Sequence, residues 1–165
     1  GAAGQGTMNN VLIGGDGWVY YETLAGGQGG RPGKAGMSAV HTSMTNTKNT
    51  PIEAFERAFP MRVLRYRVRA GSGGAGQFRG GDGLERDLEM LEDATVSLVT
   101  ERRASRPWGL DGGEPGKTGE NWLLRDGDEA TAEPVGDKCT VELRAGDVVR
   151  VLTPGGGGYG VAARG

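Results

Sequence analysis

With 165 residues, 19 Lys and Arg against 21 Asp and Glu and a formal net charge of −2, the chain has the size of one compact domain. It lacks the clustered positive field that nucleic acid or an anionic membrane surface demands as a partner. No apolar run approaches the ~18 residues of a membrane span and no charged-then-apolar leader is visible, so a cytoplasmic protein is expected. Glycine is the anomaly: 33 residues, a fifth of the chain, against a usual share of about 7%. The glycines have no three-residue collagen period and fall in short runs, which read as turns. The first residue is Gly1 and not Met, which is expected of a processed product or of part of a longer polypeptide.

In chain order, "VLIGGDGWVYYETL" (11–24) joins two β-prone runs through Gly14-Gly15-Asp16-Gly17 and predicts a hairpin. "AGGQGGRPGKAG" (25–36) predicts a long glycine loop, of the length that compact domains often reserve for function. Thr50-Pro51-Ile52-Glu53 has the pattern of a capping box with Pro at the first helical position, and Ile52, Phe55 and Phe59 form an apolar stripe that Pro60 ends. In "RVLRYRVRA" (62–70), Arg65, Arg67 and Arg69 alternate with Tyr66 and Val68, predicting a half-exposed strand with a solvated basic face. Further strands are predicted at 95–100, 121–125, 139–144 and 147–152, the last two joined at Ala145-Gly146. The lone Cys139 cannot form an internal disulfide, and in "KCTVELR" it sits as a packed or inert thiol. The expected fold is mainly β, with α+β as the alternative: a single domain over 1–165, built as a β-sandwich or irregular barrel with short helices and long glycine loops.

Three nucleotide- or RNA-type motifs fail on context. "GSGGAG" (71–76) follows a strand, but "QFRGGDG" cannot open the helix that would hold a pyrophosphate. "DGGEPGKTG" (111–119) resembles a P-loop with Asp111 where the first glycine belongs, and "ENWLLRDG" after it reads as strand. The single RGG at 79–81 lacks the repetition and charge of RNA-binding segments and reads as a turn.

"HTSMTNTKNT" (41–50) is the densest polar stretch, holding the chain's one histidine and ending where a helix begins. His41 can trade protons near neutral pH, and the hydroxyls and amides of Thr45, Asn46 and Asn49 can orient a carbonyl, carboxylate or phosphate. The same composition also suits a loop of Asx and ST turns satisfying its own backbone. Arg102 and Arg103 in "TERR" are candidate anion contacts, or ion-pair partners of Glu101 and nearby acids.

The segments "AAGQGTMNNVLIGG", "YYETLAGGQGGRPGKAGMSAVHTSMTNTKNTPIEAFE", "YRVRAGSGGAGQFRGGDGLERDLEML", "SLVTERRASRPWGLDGGEPG" and "TPGGGGYG" together resemble, in collinear order, the C-terminal part of the hydantoinase B/oxoprolinase family, N-methylhydantoinase B subunits in particular. The resemblance implies ATP-dependent cleavage of cyclic amides such as 5-oxoproline, hydantoins and lactams. ATP, with Mg, is used by a partner A subunit, an actin-like ATPase, to activate the amide oxygen, and the B part shares in ring opening. In that setting His41 is the expected catalytic residue, and Thr45, Asn46, Asn49, Arg102 and Arg103 the substrate-binding ones. The family often has a second histidine where this chain has Ser43, and an Asp-Gly where it has Ala35-Gly36; a metal or base role for that histidine is absent here. The B subunit is longer than this chain, and its metal-like acidic and histidine-rich segments lie upstream, so no metal is assigned to these residues. The expected partners are the remainder of the B subunit, the ATPase and a small cyclic amide. A related acetone or acetophenone carboxylase subunit, or a non-catalytic β interaction module, is the alternative.

Overall fold

The computed structural model describes residues 2, 9–38, 52–100 and 107–162. Two antiparallel sheets carry the fold. In chain order the elements are β1 (Asn9–Gly15), β2 (Trp18–Leu24), α1 (Ile52–Ala58), β3 (Met61–Arg69), β4 (Gly83–Met90), β5 (Ala94–Val99), β6 (Glu120–Leu124), β7 (Glu133–Val135), β8 (Lys138–Leu143) and β9 (Val148–Leu152). One sheet runs β2-β1-β5-β8 and the other β3-β4-β9-β6-β7. Val11, Ile13, Val96 and Leu98 of the first sheet and Leu84, Leu88, Val149 and Val151 of the second belong to one buried cluster. The two inner faces therefore close over a common core, as the period-two patterns require. The architecture is mainly β with no closed barrel.

The hairpin forms as predicted, with Gly15 opposite Trp18 and the turn at Asp16-Gly17, where Gly17 takes φ 78°. The predicted strands at 62–70, 95–100, 121–125, 139–144 and 147–152 are present within a residue or so. Two strands went unforeseen, β7 and, more importantly, β4. The proposed cap at Thr50-Pro51 lies outside the described residues. The helix buries Phe55 completely, but Ile52, expected on the same stripe, is exposed. Phe55 and Phe59 clasp Tyr20 of β2 with ring centroids 4.7 and 4.9 Å away, both edge-on. Across the core, Arg86 of β4 donates to Glu22 of β2 at 2.8 Å and lies 4.9 Å from the Tyr66 ring centroid, tying the sheets together.

The basic face of β3 is not simply solvated. Its register sets Arg67 opposite Glu85 and Arg65 opposite Asp87, and both pairs form ion pairs, as do Arg62 and Glu89. Arg69, read as one more solvated charge, is buried at 8% exposure. Cys139 packs against the edge of the core, and burial, with Asp137 nearby, pushes its thiol up.

The β8–β9 turn is organised by Asp147, which accepts hydrogen bonds from the amides of Arg144 and Asp126 and from the Arg125 guanidinium, each at 2.9 Å. Burial alone would raise its pKa, but these donors outweigh burial and hold the carboxyl below its usual range. A group that ionises more easily folded than unfolded adds stability that is present above its unfolded value, about pH 4, and is lost as pH falls through its folded value. Asp147→Asn should therefore cost about 1–2 kcal/mol at neutral pH. It should also flatten the acid limb of stability below about pH 4, read by urea denaturation at several pH values; an unchanged acid limb would contradict this role.

Candidate functional site

The glycine runs converge on the segment Thr153–Gly160, and most of them are not turns. Positive φ is confined, among the described glycines, to Gly17, Gly33, Gly71, Gly112, Gly127, Gly146 and Gly160. Most of the others lie backbone against backbone, whereas Gly14 and Gly15 face the side chains of Val19 and Trp18 and Gly136 is loosely surrounded. Gly27 donates to the Pro154 carbonyl at 2.9 Å and Gly30 to Gly157 at 2.8 Å, while Gly156 donates to Gly81 at 2.9 Å and Gly158 to Glu114 at 2.8 Å. Tyr159 and Phe78 exchange both hydrogen bonds, at 2.8 and 2.9 Å.

The contacts advance in steps of three: Gly155 abuts Ser72 and Gly158 abuts Ala75, and Gly116 abuts Gly155 where Gly113 abuts Gly158. Three residues per turn is the repeat of a polyproline II-type chain, whose backbone groups make no internal hydrogen bonds and so are free to bond neighbours. In collagen only every third residue faces a crowded axis. Here the central segment is hemmed in on three sides, Gly155 by Ser72, Gly156 by Gln28 and Gly157 by Trp108, so every consecutive position must be glycine. That accounts for "GGGG" at 155–158 without a sequence period. It also corrects the reading of these runs as turns, including the RGG at 79–81, where Gly80 donates to Gly74 and Gly81 to Gln28 as lattice members.

Side chains lock the lattice to the sheet. The Arg69 guanidinium donates to the Thr118 carbonyl at 2.7 Å, the Thr153 carbonyl at 3.1 Å and the Glu120 carboxylate at 2.5 Å. Burial lowers its pKa, with Glu120 and Glu85 opposing. The Ser72 hydroxyl donates to Arg69 at 2.7 Å and accepts from Gly83 at 2.8 Å, and the Thr153 hydroxyl accepts from Leu84 at 2.7 Å. At the far end the Asp111 carboxylate beside Tyr159 pushes the phenol's pKa up.

His41, Thr45, Asn46, Asn49, Arg102 and Arg103, the site residues expected from the sequence, lie outside the described residues. What is described is the frame at their borders. Met37 and Ser38, just before 39–51, press against Gly81, and α1, just after, is pinned by Phe55. Before 101–106, Thr100 is fully buried, donating through its hydroxyl to Asp137 at 2.7 Å and accepting from Asn121 at 2.9 Å. After it, the Pro107 carbonyl accepts from Gly116 at 2.8 Å and Trp108 abuts Gly157.

A cleft of about 270 Å³ opens between 35–38 and 79–82. Its charged rim is Arg79, which donates to Asp82 at 2.9 Å, while the same Asp82 oxygen accepts from the Gly73 amide at 2.8 Å. Sequence reasoning missed this pair because RGG was set aside as a turn. Among the described residues no group of three His, Cys, Asp or Glu could hold a metal ion, and no helix is long and apolar enough to cross a membrane.

The described residues thus form a two-sheet β domain whose glycine-rich segments pack into a backbone lattice around 153–160. The chain belongs to the hydantoinase B/oxoprolinase family, whose model, described as Hydantoinase B/oxoprolinase, matches residues 1–162. It is 43% identical over 159 residues to 5-oxoprolinase 1 of Arabidopsis thaliana, covering 96% of this chain and 12% of that protein. It is 35% identical over 164 residues to a Pseudomonas sp. protein named for the B component of a D-/L-hydantoinase, covering 96% of this chain and 28% of that protein. Its fold matches the ATP-dependent caprolactamase of Pseudomonas jessenii with a TM-score of 0.73 at 24% identity, over 96% of this chain and 30% of that one. The chain thus spans less than a third of the length of each of these proteins.

Proposed function

We propose that the chain is the C-terminal portion of a B-type subunit in an ATP-dependent cyclic-amide hydrolase, and that it supplies one wall of the ring-opening site. Membership of the hydantoinase B/oxoprolinase family across 1–162 carries this reading; relatives named for 5-oxoproline and hydantoin cleavage support it. The remainder of the B subunit and an actin-like ATPase that binds ATP and Mg complete the assembly, which works in the cytoplasm.

An unactivated amide is a poor electrophile. Once ATP has phosphorylated the amide oxygen, water can add to the ring carbon and the ring nitrogen can depart with a proton to leave an acyl phosphate, which a second water hydrolyses to the carboxylate and free phosphate. His41 accepts and returns the proton of the attacking water, and Thr45, Asn46 and Asn49 donate to the oxygens that gain negative charge in the tetrahedral species. Arg102 and Arg103 hold the phosphate or another anion. Ser38 lines the cleft and lies three residues before His41, and three peptide units span at most about 11 Å; His41 is therefore within chain reach of the cleft.

The test uses the full B subunit with its ATPase. ADP and ring-opened product should appear in fixed proportion with a cyclic amide, and Asn46→Ala should lower kcat/KM at least tenfold with melting unchanged, as expected for loss of an oxyanion donor worth about 10²–10³ in kcat at most. ATP turnover with no ring opening of any of 5-oxoproline, N-methylhydantoin and caprolactam would count against the reading.

A further inference from the structure

From the cleft beside 79–82 we infer that Arg79 is a specificity residue, binding the carboxylate of a cyclic amide that carries one; this rests on the function proposed above. Arg79 is fixed at both ends. Its carbonyl accepts from Gly36 at 2.7 Å within the glycine lattice, and its guanidinium is tethered by Asp82, which is itself tied to Gly73. The acid of the pair is recessed, with a side chain 13% exposed, and the guanidinium is outermost at 49%. Both residues line the cleft, and the cation is the more accessible charge of the two.

The hydrogen bonds from Arg79 and Gly73 fall on one carboxylate oxygen of Asp82, and only one guanidinium N–H goes to it. A guanidinium has five N–H donors in a planar fork that matches a carboxylate in two parallel hydrogen bonds. An arginine preorganised by a recessed, tethered acid loses less freedom on binding than a loose one. The rest of the lining, Ala35, Gly36, Met37, Ser38, Gly80 and Gly81, carries no charged side chain. The glycines there are required by packing, since a methyl on Gly81 would press on Met37 and Ser38. Shape and charge together suit a small flat ring with one carboxylate, such as 5-oxoproline, over the same ring without it.

The experiment compares 5-oxoproline with 2-pyrrolidinone, its counterpart lacking the carboxylate, on the full assembly. Isothermal titration should show wild type preferring 5-oxoproline and Arg79→Ala losing that preference at least tenfold, with Arg79→Lys between them. The ratio of kcat/KM for 5-oxoproline over N-methylhydantoin should fall by a similar factor, chiefly through KM. Asp82→Asn, which loosens the tether and keeps the arginine, should give a smaller loss of preference. Equal binding of the two probes by wild type, or a preference that Arg79→Ala leaves within twofold, overturns the inference. Those results would leave the hydrolase reading standing, which fails instead if no cyclic amide is opened.

Discussion

Replacing Gly156 with alanine should remove much of the domain's margin of stability. The added methyl would overlap the Gln28 carbonyl and lie 2.7 Å from the Gly29 amide nitrogen, and both are backbone atoms. A clashing side chain can rotate away, whereas a neighbouring backbone moves only with its lattice. Gly27, Gly30, Gly74 and Gly81 hold that lattice by hydrogen bonds to the same few residues. Overpacking of an ordinary core costs about 1–3 kcal/mol; with no soft partner the cost here should reach about 4 kcal/mol, in the range of exceptional single substitutions. For a chain of this size that is a fall in Tm of about 8–16 °C. Gly136→Ala is the matched control, because its nearest neighbour would be 3.7 Å away and its φ is not in the left-handed region. It should be neutral, or stabilising by about 0.4–1 kcal/mol through a less flexible unfolded chain. Equal melting of the two variants would contradict the lattice as described.

Arg69 should be nearly as sensitive. Arg69→Met keeps the aliphatic stem and removes a buried guanidinium, leaving the Thr118 and Thr153 carbonyls and Glu120 without it. Each buried group left unsatisfied costs about 1–3 kcal/mol, so a total loss of about 3 kcal/mol is expected by urea denaturation. Arg69→Lys should recover less than half of this, since one ammonium cannot span two carbonyls and a carboxylate as the planar fork does. Full recovery by lysine would mean that the charge matters and the geometry does not. Hydrogen exchange should show where the loss is felt: the amides of Gly155 and Gly156 should exchange faster in Arg69→Met, while those of β1 and β5 keep their protection longer.

The alternating strands were legible because their reasons are local. Val11, Ile13, Val96 and Leu98 announce an inner face by spacing alone. β4 was not legible, because Glu85, Asp87 and Glu89 lower its apparent strand character. Their partners Arg67, Arg65 and Arg62 stand opposite on β3, and Arg150 on β9 donates to Asp87 at 2.9 Å, so the charges cancel only after folding. The same holds for the solvated reading of Arg69. The glycines failed most instructively: conformational freedom explains Gly17, but Gly156 is glycine because of Gln28, and nothing near it in sequence says so. The polar segment at 41–50 stood out by composition, and its reading as a reaction centre came from the resemblance of the whole chain to its family, not from spacing.

The most direct measurement is ATP-coupled ring opening by the full assembly with His41→Ala, compared with wild type at matched folded fraction. Loss of a positioned general base typically costs 10²–10⁴-fold, so a fall in kcat of at least about 100-fold is expected, with Tm within a degree or two and association with the ATPase retained. Turnover equal to wild type would remove His41 from the chemistry and contradict its role as general base.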